Sequence, residues 1–193
     1  MKIATWNVNS IRVRLPRLVA WLQQHEPDVL CLQETKTVDE QFPFAELQAA
    51  GYHVEHWGQK TYNGVALLSK QPGSDITRGF AADGNPVATE QARCIAGTFG
   101  GVRVVSVYVP NGSEVGSDKY TYKLAWLAEL ATWLQGQQKS WPQLVLCGDM
   151  NVAPTDADVH DPQAWHEQVL CTTAERNAFA TVTAGMTDLI RLH

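Results

Sequence analysis

The chain has little of what marks several large classes of protein. Only four of its 193 residues are cysteine. Cys31, Cys94, Cys147 and Cys171 lie far apart and form no C-x-x-C pair, which argues against a disulfide-stapled secreted scaffold or a zinc knuckle. Three of them fall in apolar runs, the pattern of reduced, buried thiols, so a cytoplasmic protein is expected. Long apolar runs are missing too. Val29-Leu30-Cys31-Leu32 is among the longest and falls far short of a bilayer span. Thr5, Asn7, Asn9 and Ser10 follow Lys2 and leave no apolar signal-peptide core, so no membrane association is expected. There is no repeat, no low-complexity tract and no Pro/Gly/Ser linker, and a single domain over residues 1–193 is the expectation. An excess of basic charge is also lacking. Fifteen Lys and Arg face 20 Asp and Glu, for a net charge of −5, which speaks against gripping nucleic acid by bulk charge. The charge is uneven, however: Lys2, Arg12, Arg14 and Arg17 precede the first acid, Glu26. A local basic face on an acidic protein fits that distribution, as does an ordinary solvated helix face.

What is present is ordinary globular material, 45% apolar and 18% charged, arranged in short segments. Ile3–Val8 alternates as a strand. Ile11, Leu15, Leu18, Val19 and Leu22 recur at helical spacing, with Asn9-Ser10 as the expected cap. Asp28–Leu32 reads as a buried strand and Phe44–Ala50 as a short helix closed by Gly51. Tyr52–Trp57 and Gly64–Ser69 read as consecutive strands. Arg93–Phe99 and Val102–Val109 form a hairpin about Gly100-Gly101. Tyr120, Leu124, Leu127, Leu130, Ala131 and Leu134 line one face of a long helix, on which Trp126 and Trp133 are core fillers. Leu144–Cys147 is a further strand. Helices interleave with strands early and strand pairs follow, which suggests mixed sheets with helices outside them.

Polar residues stand at the ends of three apolar strands: Asn7, Glu34, and the pair Asp149 and Asn151. Strand ends are where sites assemble in open α/β architectures. Asp149 and Asn151 are two apart, so on a continued extended path they face one side. Carboxylates and amide oxygens without His or Cys are hard ligands, suited to Mg²⁺ or Mn²⁺ rather than zinc. Each residue has a plainer reading: a turn for Asn7 or Gly148-Asp149, a cap for Glu34. Their occurrence at three strand ends favours a site. Other signals are weaker. His166-Glu167-Gln168-Val169-Leu170 starts like a zincin motif but has Leu at its last position. His25, His53, His56 and His160 have no metal spacing and read as surface or strand histidines.

The residues around these strand ends carry a resemblance. Pro27-Asp28-Val29-Leu30-Cys31-Leu32-Gln33-Glu34-Thr35-Lys36 resembles the signature of the exonuclease III family of apurinic/apyrimidinic endonucleases. Ala4-Thr5-Trp6-Asn7-Val8-Asn9-Ser10-Ile11-Arg12 is similar to that family's first strand and helix start. Tyr62-Asn63-Gly64-Val65-Ala66-Leu67, Tyr108-Val109-Pro110-Asn111-Gly112, Tyr122-Lys123-Leu124-Ala125-Trp126-Leu127, Gly148-Asp149-Met150-Asn151-Val152-Ala153-Pro154, Glu175-Arg176 and Gly185-Met186-Thr187-Asp188-Leu189-Ile190-Arg191 follow in family order. The resemblance spans the whole chain.

It implies a DNase I-like, four-layer α/β sandwich of two mixed sheets face to face with helices outside. It also implies a Mg²⁺-dependent phosphodiesterase, with Mn²⁺ as a substitute. The expected partner is double-stranded DNA carrying abasic sites or 3′ ends, and the expected state is monomeric. By resemblance Glu34 is the principal metal ligand with Asn7 close by, and Asp149 and Asn151 belong to the same set. Asp149 would orient or deprotonate the attacking water, Asn151 would hold the phosphate or leaving group, and Tyr108 would lie beside the scissile phosphate. Arg12, Arg14, Lys36, Asn63 and Asn111 are the expected DNA contacts. Family members continue into a Thr-Trp-Trp-Asp-Tyr-Arg-like segment, an Arg-Ile-Asp strand and a Ser-Asp-His motif. This chain stops at Arg191-Leu192-His193, so the expectation is a domain lacking its C-terminal strands, the catalytic His and its Asp partner. Two other readings stay open: a DNase I-like phosphoesterase acting on phospholipid or inositol phosphate, and a non-catalytic nucleic-acid-binding or regulatory relative, or inactive fragment.

Overall fold

The computed structural model describes residues 1–80 and 91–192. His193, given no catalytic role above, lies outside them. Two compact units can be distinguished, Met1–Tyr108 with Gln138–Met150, and Val109–Gln137 with Asn151–His193.

The first unit holds the eight strands found among the described residues. Its elements are β1 (Ile3–Asn7), α1 (Ile11–His25), β2 (Val29–Gln33), α2 (Phe44–Ala49), β3 (His53–Trp57), β4 (Val65–Ser69), β5 (Ser74–Arg78), β6 (Cys94–Phe99), β7 (Val102–Tyr108) and β8 (Leu144–Asp149). They form two four-stranded sheets, ordered β1-β2-β4-β3 and β5-β6-β7-β8. β1 pairs β2 in parallel and β7 pairs β8 in parallel, and the other pairs are antiparallel. Both sheets are therefore mixed, as expected. Val29, Cys31, Val65 and Leu67 of the first sheet pack on Ile95, Phe99 and Val104 of the second. Because side chains alternate along a strand, Leu30, Leu32, Ala66 and Leu68 face the other way. There they meet Ile11, Leu18 and Leu22 of α1 and Leu47 of α2. Burial on both faces explains why β2 and β4 read as unbroken apolar runs.

Three local features depart from expectation. Asn9-Ser10 does not cap α1 with a side chain: Ser10 has φ 85° and no side-chain cap bond. Instead the backbone amides of Ser10 and Ile11 donate to the carbonyls of Glu34 (2.7 Å) and Thr35 (3.1 Å). Two of the orphan donors of the helix start are thus satisfied by the loop after β2. β5 has no counterpart in the sequence reading. It is polar, lies at a sheet edge and shifts register between Ser74 and Thr77, so it shows no alternation. β8 runs beyond its apolar stretch, with Gly148 and Asp149 pairing Val107 and Tyr108, which overturns the plainer turn reading of Gly148-Asp149. Gly148 has φ 136°, and a Cβ there would stand 2.0 Å from the Val107 carbonyl oxygen. Only glycine fits this rung.

The second unit contains most of α3 (Asp118–Ser140), longer at both ends than the periodicity suggested, and α4 (Thr173–Val182). The buried face of α3 includes Trp126, Leu127, Leu130 and Leu134, and also Lys123. Thr172 and Glu175 close a capping box at the start of α4. Among the described residues no helix is long and apolar enough to cross a membrane.

Candidate active site

The ends of β1, β2 and β8 bring Asn7, Glu34 and Asp149 together. The Asn7 side-chain Nδ2 donates to Glu34 Oε1 and to Asp149 Oδ2, 2.7 Å in each case. Its Oδ1 accepts from the Asn9 backbone amide at 3.0 Å. One amide therefore gathers two carboxylates whose residues are more than a hundred positions apart in sequence. Asn7 presents its amino group, not its carbonyl, to that pair.

Glu34 and Lys36 both have left-handed backbones, φ 54° and 53°, on either side of Thr35. Lys36 Nζ lies 2.8 Å from Glu34 Oε2 and also donates to Asn9 Oδ1. The buried Thr35 hydroxyl meets His56 Nε2 at 2.9 Å, and His56 Nδ1 lies 2.7 Å from Asp39 Oδ1. His56 stacks on Phe42 with ring centroids 3.9 Å apart. Burial drives the His56 pKa down to about 4 against the opposing pull of Asp39, with Arg78 lowering it further. The ring is therefore neutral at pH 7 and acts as a fixed hydrogen-bonding part of the loop. The Asp39–His56–Thr35 chain has no signal in the sequence. Thr35 falls in the Pro27–Lys36 signature, but Asp39 and His56 carry no motif, and a histidine on a strand gives no hint of its neighbours.

Tyr108, at the end of β7, hydrogen-bonds Glu34. Burial raises its phenol pKa above the ordinary value, and the charges of Glu34 and Asp149 raise it further against Arg93. Arg93 lies over the Tyr108 ring at 4.7 Å and donates to its carbonyl at 3.2 Å. Burial alone would raise the Glu34 carboxyl. The Asn7 and Lys36 hydrogen bonds, the Lys36 charge and the Tyr108 hydroxyl outweigh it, and the carboxyl ends below its usual range.

Asn151 does not continue the extended path of β8, because its φ is 45°. Its side chain donates to the Val109 carbonyl (2.9 Å) and accepts from Asn111 Nδ2 (3.3 Å). The structure therefore pairs Asn151 with Asn111, inside the second unit. Asn63 is buried, and its amide donates to Gln59 and Gln91. Its carbonyl accepts from the Lys36 amide at 2.9 Å, so it braces the Glu34–Lys36 loop. Arg12 is exposed on α1 and bonds Gln41, and Arg14 is half-buried on the same helix.

The donor set of the first unit limits the kind of ion it can hold. Two carboxylates converge, no imidazole or thiolate joins them, and the described residues contain no group of three or more His, Cys, Asp or Glu placed to hold a metal. That set is too small for a closed all-protein cage. It fits a hard ion such as Mg²⁺, which binds through one or two carboxylates and keeps water or phosphate oxygens in its remaining positions.

Two mixed sheets face to face, with a polar cluster of Asn, Glu and Asp at adjacent strand ends, define a DNase I-like architecture. Residues 4–183 match the Endonuclease/Exonuclease/phosphatase family, and the chain belongs to that family. It is similar to exodeoxyribonuclease III of Haemophilus influenzae, with 37% identity over 82% of this chain and 60% of that protein. The chain thus spans three fifths of that relative's length. Among solved structures, an AP endonuclease from Archaeoglobus fulgidus superposes with a TM-score of 0.93 at 39% identity, over 100% of this chain and 74% of the other. A 3′ phosphatase from Neisseria, bound to a product DNA hairpin, superposes with a TM-score of 0.90 at 44% identity, over 94% and 70%.

Proposed function

We propose that this chain carries the catalytic strand-end cluster of a Mg²⁺-dependent DNA-repair phosphodiesterase. In the intact enzyme it incises at abasic sites and removes nucleotides from 3′ ends. The observation that carries this reading is the Asn7 amide holding the Glu34 and Asp149 carboxylates together at 2.7 Å each. The DNA-processing relatives support it. The chain works as one endonuclease/exonuclease/phosphatase-type domain, as a cytoplasmic monomer.

Glu34 and Asp149 would hold the ion, with the Asn7 amino group keeping the two carboxylates together rather than supplying an oxygen. When bound, the ion supplies Lewis-acid stabilisation of the charge that builds on phosphate oxygens during in-line attack. Asp149 takes a proton from water as the water oxygen bonds to phosphorus and the bond from phosphorus to O3′ breaks, and the released O3′ takes a proton from solvent. Such general-base assistance is worth about 10²–10⁴-fold. The amide of Asn151 and the hydroxyl of Tyr108 act as donors to the phosphoryl oxygens, where preorganised donors stabilise developing charge. Lys36, Arg12, Arg14, Asn63 and Asn111 belong to the DNA-contacting face or its supports, and phosphate contacts there fix the register on the duplex.

The test is turnover of a duplex with one abasic site, and of a recessed 3′ end, in Mg²⁺ and in EDTA. Phospholipid and inositol phosphate serve as rival substrates. Mg²⁺-dependent incision of the DNA that is lost in Glu34→Ala is expected. Hydrolysis of a rival substrate with intact DNA would move the chain to another branch of the family. Tight DNA binding with no turnover in either condition would make it a binding protein.

A further inference from the structure

Lys123 is a cation whose side chain is fully shielded from solvent, as is the carboxylate of its partner Glu175. Lys123 Nζ reaches Glu175 Oε1 at 2.5 Å. It also donates to two backbone carbonyls, Asn151 O at 2.6 Å and Asn111 O at 3.1 Å. Those are the two asparagines whose side chains meet at 3.3 Å. Glu175 is held in turn. Its Oε1 accepts from the Leu170 amide at 3.0 Å, and its Oε2 accepts from the amide (3.1 Å) and hydroxyl (2.7 Å) of Thr172. Tyr120 on α3 ties to the same Thr172 hydroxyl at 2.6 Å. The stem of Lys123 passes beside Gly112, where an added Cβ would come within 3.1 Å of its Cδ and where φ is 93°.

A buried ion pair is a poor way to gain stability, since apolar side chains of similar volume often do as well or better. An apolar pair, however, cannot bind two carbonyls. Lys123 grips the backbone at both asparagines, and at Asn151 that backbone has the left-handed φ of 45°. We infer that the Lys123–Glu175 pair is a strut that sets the aim of the Asn151 and Asn111 amides, with Lys123 a positioning residue for the phosphate-holding Asn151. This rests on the role proposed for Asn151 above.

Lys123→Met alone leaves Glu175 charged and buried, so a loss of activity there would mix misfolding with misplacement. The informative variant is therefore Lys123→Met/Glu175→Gln, which is neutral at both positions and keeps one acceptor oxygen, enough for the Leu170 amide or the Thr172 amide but not both. Its cooperative unfolding is checked first. On the abasic duplex in Mg²⁺, kcat is expected to fall about 10²-fold with KM within about threefold, the size of effect a misplacement near 1 Å produces. In an Asn151→Ala background the same double change is expected to cost less than about threefold more, because groups acting as a unit are non-additive. Hydrogen exchange of the backbone at 109–113 and 150–153 should rise in the folded double variant. A full 10²-fold loss repeated in the Asn151→Ala background would overturn the strut. So would unchanged exchange in both segments. If the intact enzyme turns over no DNA at all, the nuclease reading fails, and the exchange result alone decides whether the strut exists.

Discussion

Two of the lysine–glutamate pairs among the described residues are of opposite character. Lys36 and Glu34 lie 2.8 Å apart with side chains 28% and 17% exposed, whereas Lys123 and Glu175 are 2.5 Å apart with none. The first pair sits at a strand end where Asn7, Tyr108 and Asp149 also converge. Solvent reaches it, so an incoming ion or phosphate can exchange its partners. The second is enclosed by backbone groups and a capping box, and any change there must disturb the main chain. A charge that remains accessible is suited to chemistry, and one that is enclosed is suited to holding shape.

Substitutions can break this contrast. Asp149→Ala and Glu34→Ala should lower turnover of an abasic duplex by about 10²–10⁴-fold, with a melting temperature equal to or above that of the parent. A large drop in Tm instead would make the strand-end cluster structural. Lys123→Met should destabilise the protein by about 3–5 kcal/mol in urea unfolding, since Glu175 is left buried without its partner. Lys36→Met should cost less than about 1 kcal/mol. Equal costs for the two would erase the distinction between the pairs.

Stability against pH sharpens it further. The His56 pKa of about 4 lies below its ordinary 6.5, so the unfolded chain binds more protons between those values. Its contribution is fully present above pH 6.5 and is lost as the pH falls toward 4. The loss is on the order of 3 kcal/mol. His56→Phe should flatten this part of the stability–pH curve, and an unchanged slope would assign it to other groups. The smallest effect concerns the surface. Arg12→Glu/Arg14→Glu should weaken DNA binding and reduce its salt slope by about one for each phosphate that α1 no longer neutralises. Parallel salt plots for parent and variant would remove α1 from the interface.

Much of the fold was legible because burial leaves a local trace. Val29–Leu32 and Val65–Leu68 are apolar at every position, and β2 and β4 are buried on both faces. β5, SDITR at a sheet edge, turns only Ile76 toward the core, too little to make a pattern, and was invisible. Asn7, Glu34 and Asp149 were found because each ends an apolar strand; pairing of β1 with β2 sets Asn7 beside Glu34, and the facing of the two sheets brings in Asp149. The handedness at Asn151 was not legible. A two-residue offset implies a shared side only while the backbone stays extended, and at φ 45° it has turned. The expected cap at Asn9-Ser10 failed for a related reason: its donors found carbonyls of Glu34 and Thr35, far off in sequence. Lys123 and Glu175 lay in segments recognised from the sequence. Their pairing spans 52 positions, and no period along a helix reports which distant carboxylate a lysine will meet.

Gly148 carries no reactive atom, yet a Cβ there would overlap the Val107 carbonyl at 2.0 Å, one residue before Asp149. Any side chain must push β8 away from β7 and carry the Asp149 carboxylate with it. A saturation scan scored by enzymatic output would consequently rank position 148 alongside the acids themselves. Separating chemistry from clearance at that rung takes a readout of strand spacing, not of rate.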